Sequence, residues 1–140
     1  MSDPAKWADK PDVCRFRGVR GSIVNASSVA GLGPAPGNNA FYCASKSAVL
    51  GLTLTAAVEY AKEGIRVNAV CPGATSTPLV DRCLEKAPPG AEEKLVSLHP
   101  VGRLAAPEEV PEAICWLCSD ACPFTTGEHL KIAGARGYLT

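Results

Sequence analysis

Ala40-Phe-Tyr-Cys-Ala-Ser-Lys-Ser-Ala-Val-Leu-Gly-Leu-Thr-Leu-Thr-Ala-Ala-Val-Glu-Tyr-Ala-Lys-Glu-Gly-Ile-Arg-Val-Asn-Ala-Val70 decides the fold. Residues 40–62 hold no proline and one glycine, Gly51, in a run rich in Ala and Leu, which predicts a long helix. Its apolar residues, among them Ala48, Leu50, Leu52, Leu54 and Val58, lie nearly all round the cylinder, so the helix should meet a sheet on one side and another apolar surface on the other. A partner subunit is the simplest occupant of that second side. Gly64 suits a helix C-cap, and Ile65-Arg-Val-Asn-Ala-Val70 reads as a buried strand ended by Cys71-Pro72-Gly73. Upstream, Gly21-Ser-Ile-Val-Asn-Ala-Ser-Ser28 contains a β-prone run over residues 22–26, followed by a loop holding Gly31, Gly33, Pro34, Pro36 and Gly37. Strand, helix and strand thus follow at the spacing of a parallel crossover, which sets the class as α/β.

The rest of the chain is less regular. Residues 1–20 show neither helical nor strand period and read as a loose leader, leaving residues 21–140 as one domain. Weak helical patches are expected around residues 79–85 and 91–98, split by Pro88-Pro89-Gly90, in a segment expected to be mobile. Pro107-Glu108-Glu109 is a good helix opening, with Val110, Ile114, Leu117 and Cys118 as the apolar face to about Asp120 and Pro111 poorly placed. Gly127-Glu-His-Leu-Lys-Ile-Ala133 reads as a last short strand.

Composition narrows the function classes. The 140 residues suit one domain, and at that size folding buries roughly 68–70% of the unfolded chain's surface. Fourteen basic against 14 acidic residues give no net charge, which argues against a nucleic-acid footprint, and 46% apolar content argues against disorder. No stretch is read as approaching the ~20 apolar residues of a membrane helix, and residues 1–20 carry no secretory apolar core, so a cytoplasmic location is expected. The seven cysteines at positions 14, 43, 71, 83, 115, 118 and 122 are odd in number and unevenly spaced, as free thiols would be. Cys115, Cys118 and Cys122 are expected to pack in the core rather than bind metal, because neither His99 nor His129 has zinc-site spacing. Asn25-Ala-Ser27 spells a glycosylation acceptor but falls inside a predicted strand.

The chemistry concentrates in Tyr42-Cys-Ala-Ser-Lys46. Positions i and i+4 share a helix face, which sets a phenol beside an ammonium. A phenol ordinarily titrates near 10, and a neighbouring positive charge favours its anion, so such a pair is suited to proton exchange. Ser28, at the carboxyl end of the first strand, stands where α/β sheets place ligands and could hold a substrate oxygen.

With these pieces in order, residues 21–134 resemble the short-chain dehydrogenase/reductase family. The matching motifs are Gly21-Ser-Ile-Val-Asn-Ala-Ser-Ser-Val-Ala-Gly31, Tyr42-Cys-Ala-Ser-Lys46, Gly64-Ile-Arg-Val-Asn-Ala-Val-Cys-Pro-Gly73, Thr75-Ser-Thr77-Pro-Leu79 and Gly102-Arg-Leu-Ala-Ala-Pro-Glu-Glu-Val110. The resemblance implies an NAD(P)-dependent oxidoreductase that interconverts a small-molecule alcohol and a ketone. Tyr42 would be the acid/base, Lys46 would favour its anion and bind the nicotinamide ribose, and Ser28 would orient the substrate oxygen. Pro72, Gly73, Thr75 and Thr77 would line the nicotinamide and the neighbouring phosphate, with NAD or NADP as cofactor. Ser28 fits the pattern better than Ser27.

The chain also departs from the family. The strand and glycine-rich turn that seat the cofactor's pyrophosphate have no counterpart, since Gly31-Leu-Gly33-Pro-Ala-Pro-Gly37 has the wrong spacing and two prolines where a helix should begin. The family's Asn-Ala-Gly motif and relay Asn are missing too, and Ala133-Gly134-Ala135 stands where relatives commonly have Asp-Gly-Gly. The expected fold is therefore a partial Rossmann-like, doubly wound parallel sheet without its first strands, equivalent to a carboxyl-terminal half. Two rival readings are a truncated interaction module without catalysis, docking through residues 40–62 onto a full-length relative or onto itself, and an incomplete reading of a longer gene.

Overall fold

In the computed structural model, which describes residues 21–34 and 39–136, a middle strand organises the chain. The leader expected over residues 1–20 lies outside the described residues. Strands β1 (Gly21–Ala26), β2 (Ile65–Pro72) and β3 (His129–Ile132) form a parallel sheet in the order β1-β2-β3. Gly21 pairs with Ile65 and Ala26 with Val70, while Ala69 pairs with His129 and Pro72 with Ile132.

Helix α1 (Ala40–Tyr60) connects β1 to β2 on one face of the sheet, and α4 (Glu109–Cys118) covers the other. Between β2 and α4 the chain forms the short helices α2 (Pro78–Leu84) and α3 (Ala91–Ser97). Because β2 has a helix on each side, residues 66–71 are all buried, which explains why this stretch reads as a continuous run. Its side chains still alternate: Ala69 and Cys71 meet Leu50 of α1, whereas Val70 packs with Leu117 and Cys122, bordered by Val24, Ile114, Leu130 and Ile132. Polar groups follow the same alternation. Asn25 donates to Thr53 on α1 at 3.0 Å, and the buried Arg66 and Asn68 face the α4 side. Arg66 donates to the carbonyls of Leu117 (2.7 Å), Ser119 (2.9 Å) and Thr125 (3.4 Å), so a cation meets the negative end of α4.

Most boundaries follow the sequence, with instructive differences. The last turn of α1 tightens into a 3-10 turn, Ala61–Glu63, before Gly64 takes a left-handed conformation at φ 74°. Strand β2 runs two residues past the expected end at Val70, and Gly73 N continues the ladder to β3 by donating to Ile132 O at 2.9 Å, while Pro72, on the intervening position, owes that ladder no N–H. Pro111 falls in the first turn of α4, where its amide would have no helical partner.

Two expectations need correction. Cys122 is buried, but Cys115 and Cys118 are exposed, since Ile114 and Leu117 occupy the sheet-facing stripe and the cysteines sit one position further round. Residues Ala40–Glu63 are, by length and composition, long and apolar enough to cross a membrane, with mean hydropathy 1.3, against the expectation that no stretch is. Leu50, Thr53 and Ala57 lie against the sheet, while Phe41 (93% exposed), Leu52 (63%) and Val58 (80%) do not.

Candidate functional site

The predicted residues lie at or just beyond the carboxyl ends of β1 and β2 and in the first two turns of α1. After Ala26, Ser27 N donates to Val70 O at 2.9 Å and extends the strand pairing by one step. Ser28 then caps a 3-10 turn, Val29–Gly31, with its Oγ accepting from Ala30 N at 3.2 Å. That turn is fastened to the start of α1. Buried Ser27 donates its hydroxyl to Lys46 O at 2.9 Å, and Ser47 donates to Gly31 O at 2.9 Å. A Cβ on Gly31 would lie 2.8 Å from both the Lys46 carbonyl and Ser27 Oγ, so only glycine allows the turn this close.

Tyr42 and Lys46 share one face of α1, as their spacing requires. Lys46 Nζ lies 5.7 Å from the centroid of the Tyr42 ring and donates to Ala26 O at 3.1 Å. The ammonium is therefore pinned between the strand end and the phenol, and Tyr42 remains 47% exposed, open to a reactant. The Ser28 hydroxyl accepts within its own turn and keeps its hydrogen to donate. Beneath the turn, burial pushes the Cys71 thiol up. Cys71 is thus a packing residue at neutral pH.

The second group of predicted residues forms a strap over residues 72–77. Thr75 bridges to Ala105, Ser76 N donates to Ala105 O at 2.9 Å, and Ala105 N donates to Ala74 O at 3.0 Å. Thr77 caps α2 by accepting from Val80 N at 3.4 Å, with Pro78 opening that helix. Pro72 and Gly73 lie at the β2 end, so the strap and Ser28 both follow strand ends on the same side of the sheet. Tyr42 and Lys46 are brought together, and Ser28 is tied to the same corner through Ser27 and Gly31.

The donor set fits a nicotinamide riboside. One of the three Lys46 ammonium hydrogens goes to Ala26 O, leaving two for a ribose diol, and the strap offers the Thr75 and Thr77 hydroxyls to a carboxamide or phosphate.

Two residues do more than their sequence suggested. Ser27, set aside in favour of Ser28, is the buried clamp between β1 and α1. His99, considered only as a metal ligand, is 3% exposed and accepts from Ala74 N at 3.0 Å, so it braces the strap. Its place between a helical patch and Gly102-Arg103-Leu104 was the available signal, but nothing local revealed a partner 25 positions away.

A family model described as enoyl-(acyl carrier protein) reductase matches residues 11–135. The chain is 48% identical over 118 residues to 2,5-dichloro-2,5-cyclohexadiene-1,4-diol dehydrogenase of Sphingobium indicum, covering 84% of this chain and 46% of that protein. It is 44% identical over 115 residues to cyclohexanol dehydrogenase of an Acinetobacter species, covering 82% of this chain and 43% of the relative. Among solved structures, 4-hydroxyisoleucine dehydrogenase complexed with NADH superposes with a TM-score of 0.77 at 33% identity, over 85% of this chain and 48% of that one. The chain thus spans a little under half the length of the relatives it matches.

Proposed function

The chain belongs to the short-chain dehydrogenase/reductase family, and from that premise we propose that it forms the catalytic part of an NAD(P)-dependent oxidoreductase that interconverts a secondary alcohol and a ketone. The observation that carries this reading is the Lys46 ammonium held 5.7 Å from the Tyr42 ring and hydrogen-bonded to the end of β1. Named relatives act on ring alcohols, which supports a cyclic secondary alcohol as the substrate class.

When bound, NAD(P) supplies the acceptor for the hydride that leaves the carbinol carbon. In alcohol oxidation Ser28 Oγ donates to the substrate oxygen and fixes its position. Tyr42 Oη, as the anion, takes the hydroxyl proton, and Lys46 stabilises that anion while binding the ribose. In ketone reduction Tyr42 returns the proton to the developing alkoxide. The same assignment gives Pro72, Gly73, Thr75 and Thr77 to the nicotinamide side. Location in the cytoplasm, with its soluble nicotinamide pool, accords with the reading.

Tyr42→Phe keeps the ring and removes the exchangeable proton. Turnover in an active form, assayed by nicotinamide absorbance, should drop by ~10²–10⁴ with the unfolding midpoint unchanged. Undiminished turnover would remove Tyr42 from the role.

A second reading rests on the exposed α1 face, where Phe41, Leu52 and Val58 have no described partner. It makes the chain an interaction module that self-associates through residues 40–62 without turning over substrate. Titration with NADH and NADPH separates the two: fluorescence enhancement with saturation supports the enzyme, and none at millimolar nucleotide from an associated chain supports the module. Association alone fits both, because the same face would seat a second subunit of the enzyme.

A further inference from the structure

His99 has no acid/base part in the reaction proposed above, yet both of its ring nitrogens are engaged. Ala74 N, a donor, lies 3.0 Å from Nε2, so Nε2 accepts and carries no hydrogen. Leu95 O, an acceptor only, lies 3.0 Å from Nδ1, so Nδ1 carries the hydrogen. The partners fix both the neutral form and the tautomer.

The neighbouring backbone has made room for the ring. A Cβ built on Gly73 would lie 2.7 Å from His99 Nε2 and 3.2 Å from Ala133 Cα, so the glycine leaves space for imidazole between the β2 and β3 ends. The main chain of His99 is anchored as well: its N–H donates to Val96 O at 2.8 Å, and its carbonyl accepts from Gly102 N at 2.8 Å. A donor and an acceptor at opposite corners of one rigid ring thus join the end of α3 to the strap.

We propose that His99 is a positioning residue, locked as the Nδ1–H tautomer, that ties the strap over residues 72–77 to α3 and fixes the Ala74 amide. Its effect on nucleotide binding rests on the reading that this strap lines the nicotinamide. Under that reading α3, which belongs to the segment between the strap and the Gly102 motif, shifts the cofactor wall whenever it shifts itself. Movement of α3 and nicotinamide placement are then coupled through one ring.

The test uses the full chain labelled with ¹⁵N. Long-range ¹H–¹⁵N spectra of the His99 ring should show the hydrogen on Nδ1, and a hydrogen on Nε2 would overturn the proposal. His99→Phe fills the space without an acceptor, so Ala74 amide exchange should speed up by about tenfold, while exchange in β2 stays as in wild type. His99→Gln, which restores an acceptor near the Nε2 position, should recover most of that protection. Unaltered Ala74 exchange in His99→Phe sinks the proposal, and if that variant fails to fold, the tautomer and the Gln variant decide it. NADH titration separates the two layers. Loosened Ala74 with NADH affinity reduced in His99→Phe and recovered in His99→Gln supports the coupling, and equal affinity in all three overturns it. If wild type binds no NADH but exchange responds as stated, the cofactor reading has failed and the positioning role stands.

Discussion

Ser27 and Ser28 are adjacent, chemically identical, and assigned to different tasks by the direction of a strand. Alternation along β1 turns Ser27 inward to Lys46 O, while Ser28 begins the turn that faces outward. The Tyr42 and Lys46 pair was legible because i and i+4 spacing is local. The use of Ser27 and His99 was not, since their partners lie 19 and 25 positions away and only the assembled sheet brings them together. The resemblance also flagged Ala135 as a departure, and the structure shows what it costs: Ala135 sits at φ 65°, a left-handed conformation that a Cβ disfavours. Ala135→Gly should raise stability by about 1 kcal/mol in urea unfolding. A variant no more stable than wild type would mean that the local backbone relaxes without the substitution.

Among the elements, α4 shows how little of a helix start is decided by the helix alone. Pro107-Glu108-Glu109 signalled its opening, and the helix begins at Glu109. What the signal did not show is that Glu109 reaches back outside the helix. Arg103 binds its carboxylate with both guanidinium nitrogens, at 2.7 and 2.8 Å, and Ala106 N donates to it at 2.6 Å. The Arg103 hydrogen bonds first, then the Ala106 amide, pull the carboxyl from its ordinary 4.5 to about 2. A folded value below the unfolded one stabilises the fold at all pH above 4.5, and that stabilisation fades as pH falls from 4.5 toward 2. Glu109→Gln should therefore be less stable than wild type at neutral pH, with the gap narrowing across that window in urea titrations. Because the pair is solvent-exposed, the gap should also shrink in salt. A gap that widens on acidification would contradict the assignment.

Over the whole molecule, one sheet three strands wide carries a covered face, a candidate site at its carboxyl edge and a long helix with one side bare. The α/β class and the order of elements were readable, because alternation and helix signals are written in neighbouring residues. The division of α1 into a sheet-facing side and a bare side was not, since its apolar residues surround it. If a second copy of the chain covers the bare side, Leu52→Glu with Val58→Lys should convert a dimer on a sizing column to a monomer while circular dichroism stays unchanged. An unchanged elution volume would place the interface elsewhere.

Arg66 has a consequence for conditions far from neutrality. The oxygens that hold it are main-chain carbonyls, which neither take up protons in acid nor gather a counterion cloud. Acidification or brine that slackens the outer Arg103–Glu109 clasp leaves this inner rivet in place, so the far end of α4 stays riveted to the sheet after its near end has come loose.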